Sequence, residues 1–332
     1  MIRQKLHSYV ILLGNVLLDI RRLYLKSFLS IVLTSILSVA LQIVGFWLSL
    51  RYFAYAHQEG IGHLFVVLFG VDNYLYEVSV VALILGLTLG FASWLGYLSR
   101  ILSIHVSTKY EKLCFVRAIK FLNAKSIIEE LPYKESEFFN IVNINSRVAG
   151  RAIKILITSV QPVFMFITCI CIALLIDSVV TVIILFFLGI ALPIIYKFNQ
   201  RGIAAAGELE KNNILANKEK KEVIANLFSI KEELVEPSLE SYSKSLIIFK
   251  ERLKSIEKSR STMQGFVALS FAFLILYIGL RLKENEFQFI LLIAYFITLR
   301  YSLNSAVTIV LAVTNFNLLV PKLKEYFSLI KH

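Results

Sequence analysis

Residues 155–196 read ILITSVQPVFMFITCICIALLIDSVVTVIILFFLGIALPIIY, bounded by Lys154 and Lys197. The stretch carries one charge, Asp177, which divides it into runs of 22 and 19 residues. A hydrocarbon core about 30 Å thick takes about 20 apolar residues to cross as a helix, so each run is the length of one span. Asp177-Ser178 supplies the turn between them, with Asp177 read as a solvated turn former. The stretch predicts two membrane spans joined by a tight turn, with Lys154 and Lys197 brought back to the same side.

Extending the same window outward finds four more runs. Residues 27–50, 78–99 and 261–280 hold no charge, and 287–321 is interrupted by Arg300 alone. Together with 155–176 and 178–196 these make six spans. Of the 332 residues 57% are hydrophobic, against about half in soluble domains. The 35 Lys and Arg and 23 Asp and Glu gather in blocks between the runs. The fold class is therefore all-α membrane protein.

Basic residues of short loops stay on the cytoplasmic side. The segment before the first span, residues 100–154, residues 197–260 and the tail after Pro321 hold 31 of the 35 Lys and Arg. The loop 52–77 holds none. The chain is expected to be multi-pass in the cell's inner (plasma) membrane, with both termini cytoplasmic. The net charge of +12 then belongs to loops facing anionic lipid and implies no nucleic acid. Cys114, Cys169 and Cys171 form no disulfide framework, the five histidines are scattered, and no metal-ligand spacing occurs. Residues 6–18 resemble a signal-peptide core, but no small-residue cleavage site follows. Residues 1–26 are expected to form an interfacial helix along the inner leaflet.

The two long cytoplasmic stretches read as helix rather than loop. Leu102, Val106, Tyr110, Leu113 and Val116 recur at spacings of three and four, and Leu239, Tyr242, Leu246, Phe249, Leu253 and Ile256 do so without a miss. The second series predicts a coiled-coil seam. Both continue into spans without Pro or Gly, so the spans should have stalks. Pro132 and Pro237 interrupt the stretches, leaving short amphipathic pieces at 133–145 and 221–231 on the tips. Gly86 and Gly90 form a GxxxG pair, read as a close helix contact. Pro162 and Pro193 fall inside spans, where proline kinks are common.

This plan resembles the transmembrane domain of type IV, six-span ABC exporters over nearly the whole chain. Leu131-Pro132, then Glu137-Phe138-Phe139-Asn140 and Ile144-Asn145-Ser146-Arg147, resemble the family's first coupling segment; 222–232, EVIANLFSIKE, is similar to the second. The resemblance implies an elbow helix at 1–26, a six-span domain at 27–321 and two coupling helices. It also implies Phe138, Phe139, Asn140, Glu222, Asn226, Ile230 and Lys231 as contacts to a nucleotide-binding ATPase. A second six-span unit, as homo- or heterodimer, and membrane lipid are the other implied partners. No GxxxxGK[ST] phosphate loop and no LSGGQ-like signature occurs, so ATP and Mg are expected on the partner ATPase. Residues 322–332 are expected to begin a linker toward it. The chain itself is expected to hold no catalytic residue and no cofactor. Its expected role is the permease component of an exporter or flippase.

Two polar stripes are candidates for the pathway. In the last span Arg300, Asn304, Thr308 and Asn315 fall within an arc of about 80° at 100° per residue. An ionisable group at mid-membrane costs about 2.5 kcal/mol or more on insertion scales, so Arg300 demands a polar environment. In the first span Thr34, Ser38 and Gln42 stand at four-residue steps, followed by Gly45 and Ser49. The competing reading is packing, since small and hydroxyl side chains let spans approach closely. A membrane-embedded enzyme would need a convergent acid, base or metal set, and a voltage sensor would need arginine at every third position; the spans offer neither. A non-transporting scaffold or receptor on the same six helices is the alternative to the exporter.

Overall fold

The computed structural model describes residues 14, 16, 18–58, 74–126, 135–225, 239–283 and 289–331, and among them there is no strand. Helical residues 18–23 lead through a bend at Tyr24 into α1 (Leu25–Gln58). There follow α2 (Tyr74–Ser126), α3 (Glu135–Thr158), α4 (Val160–Ile176), α5 (Ser178–Ala225), α6 (Glu240–Lys283) and α7 (Phe289–Lys331). Six stretches are long and apolar enough to cross a membrane, α3 and α4 together making the third. Helix is what these sequences must form there, because lipid offers no partner to an unpaired peptide group.

The helices outrun the charge-free windows at both ends. α1 continues past Arg51 to Gln58 and α2 begins at Tyr74, so the loop expected at 52–77 is shorter than the charges implied. α7 continues through Pro321 to Lys331, where a linker was expected. Proline removes one donor but leaves the flanking bonds intact, so helices held by packing tolerate it. α5 runs through Pro193 in the same way. Pro162 does have an effect, since it lacks the N–H that a helix would aim at the carbonyl of Thr158, and the helix breaks at Ser159. Ser159 keeps φ −75° and ψ −13°, so α4 follows on from α3 with helical backbone at the break. Residues 135–145 form the first turns of α3 and not a separate short helix.

At one end of the bundle Asp177 is half-buried between α4 and α5, and is not the solvated turn residue expected. Its carboxylate accepts the N–H of Val180 at 3.1 Å, capping α5, and the phenol of Tyr277 from α6 at 3.0 Å. Thr181 and Tyr295 join α5 to α7 through a 2.9 Å hydroxyl pair. Beneath this knot Val180, Ile184, Leu274, Leu299 and Leu303 form one buried core. A second core lies at the charged end, where Val16, Ile20, Tyr110, Ile153, Leu323 and Tyr326 pack the N-terminal residues against α2, α3 and α7.

Where helices come closest, small residues make the contact. Ser38 donates to the carbonyl of Ala92 at 2.8 Å, Ser35 pairs with Ser99 at 2.8 Å, and Ser107 donates to the carbonyl of Gly150 at 2.9 Å. Gly86 and Gly90 are not among these contacts. Both face open space, because a small-xxx-small pattern permits close approach without compelling it. The seam read on α6 is also displaced. Leu246, Phe249 and Leu253 are exposed, while Ser245, Ile248, Ser255 and Ser259 meet α5. The α5 face opposite offers Gly202, Ala206, Asn212 and Ala216, and hydroxyls tie the two together: Ser255 donates to the carbonyl of Phe198 and Asn212 to Ser245.

Gly150 tests this account of close packing. An added Cβ would stand 3.0 Å from that of Glu111 and 3.1 Å from the carbonyl of Ser107. Gly150→Val should therefore destabilise by about 1–3 kcal/mol, the range for overpacking a close contact. Gly86→Ala should be neutral. Thermal unfolding in detergent compares them, and equal midpoints for the two variants would contradict the packing described.

Candidate functional site

Over residues 300–315 the polar arc of α7 turns away from the chain's own bundle. Arg300, Asn304, Thr308 and Asn315 are all exposed, and Tyr301 beside them is 47% exposed. Leu299, Leu303 and Ala306, on the other side of the helix, are buried in the core shared with α5 and α6. The apolar side of α7 is thus used up by packing, which leaves the polar side outward. Thr308 spends its hydroxyl on the carbonyl of Asn304 at 3.0 Å, a local bond that helix hydroxyls make in apolar surroundings. Arg300 has no carboxylate partner among the described residues. A guanidinium on a membrane helix needs water, a headgroup or an anion, and among the described residues no carboxylate supplies one.

The first-span stripe has a different placement. Ser38 is fully buried, donating to α2 while accepting from Gln161 of α4 at 3.4 Å and from Gln42 at 3.5 Å. Thr34 is half-buried and bonds the carbonyls of Ser30 and Ile31 in its own helix. Ser38 and Gln161 therefore knit α1, α2 and α4 together, with Gln42 bonding to Ser38 within α1. The geometry is that of packing, so the two stripes, alike in sequence, are not brought together as one face.

Of the coupling residues, Phe138, Phe139 and Asn140 fall in the first turns of α3, and Glu222 lies in the last turns of α5, exposed and 3.8 Å from Lys218. Asn226, Ile230 and Lys231 lie outside the described residues. Near this tip Glu219 accepts the N–H groups of Ser241 at 3.1 Å and Tyr242 at 3.2 Å, fastening the start of α6 to α5. The α5–α6 pair is therefore zipped to its far end. Between α5 and α7 a groove opens instead, lined by Ile203, Gly207, Lys211, Val320 and Lys324.

One polar centre was not singled out from the sequence. Asp19 accepts the phenol of Tyr110 at 2.9 Å and the guanidinium of Arg117 at 3.0 Å, and Tyr326 of α7 donates to the carbonyl of Cys114 a turn away. These bonds lock the N-terminal residues onto α2. Asp19 is the one acid in the first 26 residues, and that isolation was the available signal. Among the described residues no three His, Cys, Asp or Glu gather as a metal site. The chain matches no protein-family model, and no curated protein matches it.

Solvent access separates a pathway face from a lipid face. In a background with all three cysteines replaced by Ser, Asn304→Cys should react with a membrane-impermeant maleimide in vesicles. Leu276→Cys, on the 63% exposed apolar side of α6, should not. Equal labelling of both would remove α7 as a candidate pathway wall.

Proposed function

We propose that the chain is the permease half of an ATP-driven exporter or flippase of the ABC type. The observation that carries this reading is the length of its rods. At 1.5 Å per residue the 53 residues of α2 extend about 80 Å and the 48 of α5 about 72 Å, against a hydrocarbon core of about 30 Å. A transporter driven by an external motor needs such rods, because a force applied at the tip must reach a gate in lipid.

In this reading the charged end is cytoplasmic and the membrane is the plasma membrane. The motor is a partner ATPase that binds ATP and Mg and engages the coupling residues, among them Phe138, Phe139 and Asn140 at the start of α3 and Glu222 near the end of α5. A second six-span unit, identical or homologous, covers the outward face of α7. Arg300, Asn304, Thr308 and Asn315 then line a shared aqueous cavity, and Arg300 meets an anionic part of the cargo. The exposed row Leu246, Phe249 and Leu253 on the α6 stalk supports such a partner, since an apolar stripe on a stalk outside the lipid needs a cover. Closure of two ATPases would draw the stalks together and switch the cavity from one side to the other. Thr34, Ser38 and Gln42 hold α1 in place during this motion.

The test is reconstitution with a candidate nucleotide-binding ATPase subunit. Alone, the chain should hydrolyse no ATP; with the ATPase it should support hydrolysis and ATP-dependent cargo movement in vesicles. Arg300→Leu should cut transport by tenfold or more, about 1.4 kcal/mol or above, without lowering membrane yield. Failure of any nucleotide-binding subunit to co-purify would overturn the proposal, and hydrolysis without transport would favour the scaffold.

A further inference from the structure

At the charged end a groove of about 720 Å³ opens between Tyr24, where the chain bends into α1, and residues 109–121 of α2. We propose that it binds the headgroup of an anionic phospholipid from the adjoining leaflet. The volume lies within the range of small-molecule sites, roughly 300–1,000 Å³. Lys109, Lys112 and Lys120 stand on its walls, all exposed, and none pairs with a carboxylate among the described residues. Arg117 also borders it but is held by Asp19, so it fixes the wall rather than offering a free charge. Leu113 and Val116 supply an apolar floor.

The level of the groove argues for lipid as the source. Ser35 of α1 touches Ser99 of α2, and Ser38 touches Ala92, so the helices run antiparallel in a known register. Moving back along α1 from Ser35 to Tyr24 corresponds to moving forward on α2 to about residue 110, which is where the groove lies. Just before this level Leu29 and Leu33 on α1 and Ile101 and Ile104 on α2 are between 43% and 67% exposed, with Arg100 and His105 exposed beside them. At and beyond it Lys109, Lys112 and Lys120 join the exposed side chains, among apolar ones such as Leu23 and Ile119. Lysines joining an apolar surface mark the height at which a phospholipid changes from acyl chain to phosphate. The groove therefore presents cations to the phosphate and an apolar floor to the glycerol and first methylenes. A net negative headgroup fits, whereas a choline would meet three like charges. This inference concerns a surface remote from the α7 face and holds whether or not the chain is a transporter.

Native mass spectrometry of the purified full chain in detergent reads the occupancy. With phosphatidylglycerol added, the wild-type chain should retain lipid at least fivefold more than with phosphatidylcholine. The triple variant Lys109→Gln, Lys112→Gln, Lys120→Gln should lose that preference, each lysine near an anionic headgroup contributing roughly fivefold. A control of equal charge change on the stalks, Lys221→Gln, Lys244→Gln, Lys250→Gln, should keep it. Unchanged helicity by circular dichroism shows that the variants fold, as exposed lysines predict. Retention by the groove triple, or equal loss in the control, would overturn the site. Displacement of phosphatidylglycerol by excess inorganic phosphate would show a free-phosphate site and overturn the lipid source.

Discussion

Peptide N–H and C=O groups find no partner in hydrocarbon, so each of the six membrane stretches must satisfy its own backbone as a helix. Once that bond ladder is running, nothing in the sequences beyond the apolar windows stops it. α2, α5, α6 and α7 carry it far into the charged blocks, through Pro193 and Pro321 in two cases. Where proline does interrupt it, at Pro162, the chain remains helical on both sides and the hydroxyls of Thr158 and Ser159 bond to carbonyls a turn earlier. The rods are thus a continuation of the same hydrogen-bond accounting that forms the spans.

Two different forces then assemble the rods. Apolar burial builds the cores at either end, one around Tyr110, Tyr326 and Ile153 and one around Ile184, Leu299 and Leu303. In between, helices meet through hydroxyls and glycines, because lipid tails compete with any apolar contact and close van der Waals approach is what remains. Ser38, Gln42 and Gln161 show why a polar stripe on a span need not face water: their groups satisfy one another across three helices. α7 shows the opposite case. Its apolar side is claimed by the core, and Arg300 is left outward with no carboxylate partner among the described residues.

The six apolar stretches were legible in the sequence because charge and hydropathy act at every residue, but the helix ends were not, since the helices run on into the charged blocks. The seam over 102–113 was legible too, with Val106 and Tyr110 buried and Leu102 and Leu113 half-buried, whereas Val116 at its end is exposed. The α6 seam was not, since counting apolar residues misses an interface made by Ser245, Ser255 and Ser259 against Gly202 and Ala206. Small residues carry no hydropathy signal, yet they alone admit the approach that leaves the Ser255 hydroxyl 2.9 Å from where a Cβ on Gly202 would stand. Asp177 was placed at the turn but not in its role, and Asp19 was not singled out at all, because their partners Tyr277, Tyr110 and Arg117 are some 90 to 100 residues away. Among candidate pathway residues, the last-span arc and the first-span stripe were indistinguishable by spacing, and only their neighbours in three dimensions separate them.

Continuity of helix from lipid to tip is the property on which the lever rests. Hydrogen exchange of the chain in lipid nanodiscs measures it directly, peptide by peptide. Amides of residues 104–120, 203–221 and 243–258 should exchange orders of magnitude more slowly than unstructured chain, with protection declining only toward the tips. Exchange in these stretches at the rate of an unfolded peptide would mean that no rigid connection leaves the membrane, and the account would fail.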